Sequence, residues 1–359
     1  MAPTESQEAD GGAEGGMIRV RPSRSRRARR HLHGLAVATI LTTACAWIGG
    51  LSLPPPTSTV PPPSATQTAS PTPTETATPT PSPVPPTPTP DHPSAARILI
   101  LSIDGLRPDA VSPESAPNIY SLAARGAVSW SAQTVLPSVT LPTHASMLSG
   151  YGVEAHGLTW NSYIPASGYA RSMTVFTLAK AAGLRTVMIV SAAWLVHIAV
   201  PGTVDAFTYV PEGDRAVAVE ASAEIRSGFG VLFVHLLGVD NAGHGDGWMS
   251  PGYLQAVSDV DRHVGTILDA LAAEGLVDST LVILTADHGG HDHGHGSSAP
   301  EDMTIPWVVA GPGVAAGRTL TSSVHIYDTA ATALWVLGLP IPDGMAGQPV
   351  REAFTLTGN

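Results

Sequence analysis

The 359-residue chain has a single cysteine, Cys45, so no intrachain disulfide is available to hold a fold together. Clustered positive charge is equally scarce where a fold is expected. From Ser94 onward there are 11 Lys or Arg against 23 Asp or Glu, a net charge of −12. That excludes the dense basic footprint of a nucleic-acid-binding domain. It also means that positive charge for recognising anionic esters has to come from elsewhere, and bound metal is one source. The first ninety or so residues lack the apolar periodicity of a packed domain, which leaves about 266 residues for folding, enough for a substantial core.

Four regions follow from composition. Residues 1–33 form a polar, Gly-rich and then basic region expected to be disordered, with seven arginines between Arg19 and Arg30. Residues 34–53, GLAVATILTTACAWIGGLSL, are uncharged and at about 1.5 Å per residue just long enough to span a bilayer. The basic flank marks the segment as a signal anchor. A signal peptide cleaved near Ala44-Cys45-Ala46 and a lipidated Cys45 are the alternatives. Either way the domain that follows is expected outside the cytoplasm, anchored or secreted. Residues 54–93 hold 16 Pro and 11 Thr in 40 positions and read as an extended stalk.

Residues 94–359 alternate strand and helix signals, which predicts a doubly wound α/β domain with a largely parallel sheet and helices on both faces. Arg97 to Ile103, Val231 to Leu237, Leu281 to Thr285 and Ile305 to Ala310 are apolar runs of buried-strand length, and Thr186 to Val190 is a weaker fifth. Helical patterns cover Asn118 to Arg125, Tyr253 to Leu271 and Asp328 to Leu337. In such sheets ligands bind beyond the carboxyl ends of the strands.

Candidate metal ligands collect at those ends. Asp104 follows the first run, Asp240 and His244 follow the second, and Asp287 and His288 follow the third, with His295 further along the same loop. One Asp after a strand is ordinarily a turn or cap residue. Three strand ends that each deliver carboxylate, or carboxylate with imidazole, to one rim point to a divalent metal site, and mixed Asp and His ligands suit Zn²⁺. DHGGHDHGH has four histidines in nine residues, so the sequence leaves open which of them bind. His288 and His295 are chosen, His291 and His293 are assigned to the surroundings or solvent, and His235, inside a strand, to the core.

ILILSIDGLRPD, PSVTLPTHASMLSG followed by HGLTWN, GVDNAGHGDG, LTADHGG and HGSSAPEDMTIPWVVAGPGV resemble, in order, the motifs of the type I phosphodiesterase/nucleotide pyrophosphatase branch of the alkaline phosphatase superfamily. The resemblance implies two divalent ions, zinc with manganese as the alternative. It places Asp240, His244 and His295 on one, and Asp104, Asp287, His288 and the hydroxyl of Thr140 on the other. It makes Thr140 the nucleophile and Asn161 the holder of a phosphoryl oxygen, together with a backbone N–H near Thr140. The implied reaction is hydrolysis of a small phosphoester through a phosphothreonine, since coordination favours the ionised hydroxyl. Asp109, Asp246 and Asp302 are left as loop or cap residues.

Neighbouring families fit less well. Sulfatases need a Cys or Ser for conversion to formylglycine, where this chain has Thr140-Leu-Pro-Thr-His. Between Asn161 and Val231 there is room for little more than one αβ unit, which excludes the large cap domain of the mutase relatives. Leu141 stands where nucleotide-processing members often carry a base-stacking aromatic, a departure that counts against nucleotide specificity, and the resemblance implies a phosphodiesterase or nucleotide pyrophosphatase. Phosphomonoesters, phosphonates and a non-catalytic metal-binding role are the alternatives.

Overall fold

The structure, a computed structural model, describes residues 18–20 and 92–355. The apolar segment 34–53 and the stalk up to residue 91 lie outside the described residues. No helix among the described residues is long and apolar enough to cross a membrane.

The strands are β1 (Ile18–Val20), β2 (Arg97–Ile103), β3 (Ala127–Gln133), β4 (Thr186–Val190), β5 (Ala206–Tyr209), β6 (Val231–Leu236), β7 (Thr280–Thr285), β8 (Thr304–Ala310) and β9 (Arg318–Thr319). The helices are α1 (Pro117–Ala124), α2 (Thr140–Ser149), α3 (Val153–His156), α4 (Val175–Ala181), α5 (Asp214–Ser227), α6 (Gly238–Asp246), α7 (Pro251–Ala273), α8 (Pro300–Met303) and α9 (Asp328–Val336). Among the described residues the strands form one sheet in the order β1-β5-β4-β6-β2-β7-β8-β3-β9. The pairings from β1 to β7 are parallel, while β8 runs antiparallel to both β7 and β3. All five expected strands are present. β1 is a departure, because three residues of the region expected to be disordered pair with β5 at the sheet edge.

The central strands are continuous apolar runs because helices cover both faces of the sheet. All six residues of β6 and of β7 are buried. Between Asn161 and Val231 the chain builds α4, β4, β5 and α5, somewhat more than the single αβ unit expected and still no cap domain.

Register places the chemistry. Ser102 of β2 pairs with His235 of β6 on one side and Thr285 of β7 on the other. Side chains alternate along a strand, so Ser102, His235 and Thr285 share a face, and Asp104 and Asp287, each two residues further on, emerge level on that face. α6 starts directly after β6 and carries Asp240 and His244 four residues apart, one above the other on the helix.

Candidate active site

Asp104, Asp287 and His288 are fully buried, and one ligand atom from each lies within 4.8 Å of the others. His288 Nε2 is 3.3 Å from Asp104 Oδ1 and 3.2 Å from Asp287 Oδ2. Asp240 Oδ1 lies 3.6 Å from both His244 Nε2 and His295 Nε2, and these two nitrogens are 3.2 Å apart. His288 links the two groups: its ring stacks on His295 with centroids 3.7 Å apart, and it also lies within ligand distance of Asp240 and His295. All six side chains singled out in the sequence are therefore together.

Tautomers decide what this cluster can hold. His244, His288 and His295 each place Nδ1 against a backbone carbonyl, of His293, Gly289 and Ser138 respectively, at 2.8 to 2.9 Å. A carbonyl only accepts, so each Nδ1 carries a proton, and a ring with that single proton turns the lone pair of Nε2 inward. Those lone pairs meet carboxylate oxygens. Asp104 Oδ1, Asp240 Oδ1, Asp287 Oδ2 and His288 Nε2 are buried with no hydrogen-bond donor. Acceptors converging in a desolvated pocket are costly without positive charge between them. The donor set fits divalent cations, and the histidine-to-backbone bonds are of the kind that orient metal ligands.

Electrostatics agree. Burial, followed by the charges of Asp287 and Asp240, holds the Asp104 carboxyl well above the ordinary carboxylate range. Burial also pushes Asp240 up to about 6. Burial and the neighbouring His288 keep His295 below its ordinary value, in the neutral form a metal ligand needs.

Thr140 is the first residue of α2 and is buried. Its carbonyl accepts from His144 Nδ1 at 2.7 Å, and the same nitrogen lies 3.4 Å from Asp287 Oδ2. The other nitrogen of His144 is 2.8 Å from the Ser102 hydroxyl. This imidazole, to which the sequence assigned no role, ties the first turn of α2 to β2 and to Asp287. Asn161 Oδ1 accepts from the Leu141 backbone N–H at 2.9 Å. That contact commits the Leu141 N–H to Asn161. It also fixes the orientation of the amide, leaving the NH₂ as the free donor. Leu141 itself is fully buried and presents no surface for stacking.

His235 is buried as expected, but it is more than core. Its Nδ1 accepts from Ser191 N–H at 3.3 Å, so its Nε2–H donates to Asp104 Oδ2 at 2.9 Å. The spacing of β6 carries no trace of this contact, which appears only through the register with β2. Asp302, left as a cap residue, organises the histidine loop. It is fully buried and accepts from His291 Nδ1 at 2.7 Å and from the backbone and hydroxyl of Ser297 at 2.9 and 2.7 Å. His293 Nδ1 faces the His244 carbonyl at 3.1 Å, and neither His291 nor His293 is among the residues whose ligand atoms converge. Asp109 pairs with Arg107 at 2.6 Å on the surface.

Gly105 makes the close packing around Asp240 possible. Its φ is +70°, and a Cβ there would come within 3.0 Å of Asp240 Cα. Its carbonyl accepts from Trp248 Nε1 and from the Tyr253 hydroxyl, fixing the turn after β2.

Several known proteins share this frame. The chain is 26% identical over 321 residues to GPI ethanolamine phosphate transferase 1 of Emericella nidulans, covering 71% of this chain and 34% of that protein. It is 28% identical over 293 residues to the catalytic subunit of human GPI ethanolamine phosphate transferase 2, covering 72% and 29%. It thus spans about a third of the length of these relatives. Among solved structures, murine ectonucleotide pyrophosphatase/phosphodiesterase 5 superposes with a TM-score of 0.60 at 15% identity, over 72% of this chain and all of that one. A 2-O GAG sulfatase superposes with a TM-score of 0.61 at 15% identity, over 74% and 76%. At those identities the likeness is one of fold. The model of the type I phosphodiesterase/nucleotide pyrophosphatase family matches residues 98–297, more than half of the chain, and the chain belongs to that family.

Proposed function

We propose that the domain is a two-metal phosphoesterase that cleaves a small phosphodiester through a phosphothreonine at Thr140. The observation that carries this reading is the convergence of three imidazole Nε2 atoms and three carboxylates on the rim where α2 begins with Thr140. Asp240, His244 and His295 would hold one cation, and Asp104, Asp287, His288 and Thr140 the other. Zinc is favoured by the mixed nitrogen and oxygen donors, and manganese is the alternative. Bound there, the cations would supply positive charge to the entering hydroxyl and to the departing ester oxygen.

The protein's own part is positioning. His144 holds the Thr140 carbonyl and so fixes the first turn from which the hydroxyl projects. Thr140 Oγ1 forms a bond to phosphorus while the bond to the leaving oxygen breaks on the opposite side, and that oxygen is released as an alcohol. Asn161, its Oδ1 engaged by Leu141, offers its NH₂ to a non-bridging oxygen whose charge grows in the transition state. Water then attacks the phosphothreonine and restores Thr140.

A second reading is favoured by the relatives, whose names describe phosphate-ester transfer. In it a hydroxyl acceptor replaces water in the second step. In both readings the domain works outside the cytoplasm, held to a membrane by the segment at 34–53 or secreted after its cleavage.

One experiment covers both. Metal-loaded protein and Thr140→Ala are assayed on bis-p-nitrophenyl phosphate and p-nitrophenyl phosphate, with and without added alcohol acceptors. The reading expects diester cleavage that disappears in Thr140→Ala, and alkyl phosphate products with acceptor only if transfer is the second step. Undiminished cleavage by Thr140→Ala would remove the mechanism.

A further inference from the structure

The three carboxylates of the cluster are held in different ways. Asp104 Oδ2 accepts from His235 Nε2 at 2.9 Å, and Asp287 Oδ1 accepts from the Gly105 N–H at 3.1 Å. Asp240 has no such holder among the described residues, and its Oδ1 is buried without a donor. A side chain that no hydrogen bond orients is aimed by the backbone that carries it. The direction of Asp240 therefore depends on how the first turn of α6 is fixed.

That turn has no cap of its own. The first N–H groups of a helix lack partners within it, and Leu237, at the N-cap, has no side-chain oxygen to offer. The acceptor comes from another element. Asp214, the first residue of α5, accepts from the Leu237 N–H with Oδ1 at 2.9 Å and from the Gly238 N–H with Oδ2 at 3.0 Å. Both of its oxygens thus engage the backbone between β6 and α6, and negative charge at a helix N-terminus is favourable. Burial pushes the Asp214 carboxyl above its ordinary value, and the two N–H bonds pull against it. α5 packs on β4, β6 and α7, so the carboxyl is carried by an element anchored on the sheet.

The junction it holds joins the two halves of the cluster. His235, which donates to Asp104, lies two residues before Leu237, and Asp240 lies two residues after Gly238. Gly238 is fitted to the contact. A Cβ there would overlap Asp214 Oδ2, and the nearest atoms it would meet all belong to Asp214.

We propose that Asp214 is a positioning residue: it clamps the junction between β6 and α6 and so sets Asp240 and His244 where a second cation needs them, relative to the strand-end ligands. The inference rests on the two-metal reading and adds to it a residue outside the ligand set.

The test is calorimetric titration of the full metal-free chain with Zn²⁺, for the wild type, Asp214→Asn, Gly238→Ala and the double variant, with Asp240→Asn marking which ion is the outer one. Asp214→Asn keeps the size of the side chain but leaves one oxygen to accept, whereas Gly238→Ala pushes the intact carboxylate aside. Each should weaken the outer ion by about ten- to a hundredfold and leave the other unchanged. Because both act on one contact, the double variant should lose no more than about twofold beyond the worse single one, whereas independent effects would multiply. A merely structural role would weaken both ions together. Should Asp214→Asn fail to fold, Gly238→Ala, which keeps every polar group, decides alone. Unchanged outer affinity, equal weakening of both ions, or multiplied losses in the double variant overturns the clamp. A wild type that binds fewer than two ions instead overturns the underlying reading.

Discussion

The two halves of the candidate metal cluster are built differently. Asp104, Asp287 and His288 stand at the ends of adjacent central strands, fully buried, with the imidazoles of His235 and His144 beneath them. Asp240 and His244 ride on α6, His295 comes from a loop, and the His244 side chain is 46% exposed. The first half inherits its geometry from sheet register. The second depends on loop hydrogen bonds, from His295 to Ser138, from His244 to His293, and from Ser297 and His291 to Asp302. In the proposed mechanism the rigid strand-end half would set the position of Thr140 and the outer half would adapt to the substrate.

Substitutions can break or sharpen that contrast. The largest effect is expected from Asp287→Asn, which keeps the shape but removes a buried ligand charge. Turnover of bis-p-nitrophenyl phosphate should fall by roughly a thousandfold, whereas His244→Asn, at the exposed outer position, should cost less; equal losses would erase the distinction.

Next is His235→Phe, which removes the donor that holds Asp104 Oδ2. Metal affinity at the strand-end site should weaken by about ten- to a hundredfold, measured by calorimetric titration, with the outer site unchanged. A smaller effect is expected from Gly105→Ala, which forces a side chain into positive φ and against Asp240. It should destabilise the protein by about 1–3 kcal/mol in denaturant titration. A neutral result would mean that the turn after β2 tolerates more than its packing implies.

The smallest concerns the histidine loop. Asp302 raises the pKa of His291 above its ordinary 6.5. A raised folded-state value means that the pair's stabilisation is complete below pH 6.5 and is lost as pH rises through the value His291 has in the fold. An NMR titration of His291 should give a midpoint above 6.5 that returns to the ordinary value in Asp302→Asn. An unshifted midpoint in the wild type would show that the loop is held by Ser297 alone.

The sequence disclosed the strand-end half more fully than its surroundings. β2, β6 and β7 are unbroken apolar runs because they are covered on both faces, and Asp104 and Asp287 terminate two of them. β3, with the sequence AVSWSAQ, and the four-residue β5 gave no such signal. α2 went unrecognised because it carries a proline at its third position and all ten of its residues are buried, which hides any amphipathic period. Among the four loop histidines no local pattern marks out His288 and His295. What separates them physically is tertiary: Asp302 claims His291, and His293 turns to the His244 carbonyl. The parts played by His235 and His144 depend on register and on packing across the sheet, which no local pattern encodes.

The most direct test of the cluster is a count of metal ions. Metal-free protein titrated with Zn²⁺, with bound metal quantified after gel filtration, should reach two ions per chain, falling to one in Asp240→Asn and to one in Asp287→Asn. A wild type that saturates at one ion or none, or variants that still bind two, would contradict the account.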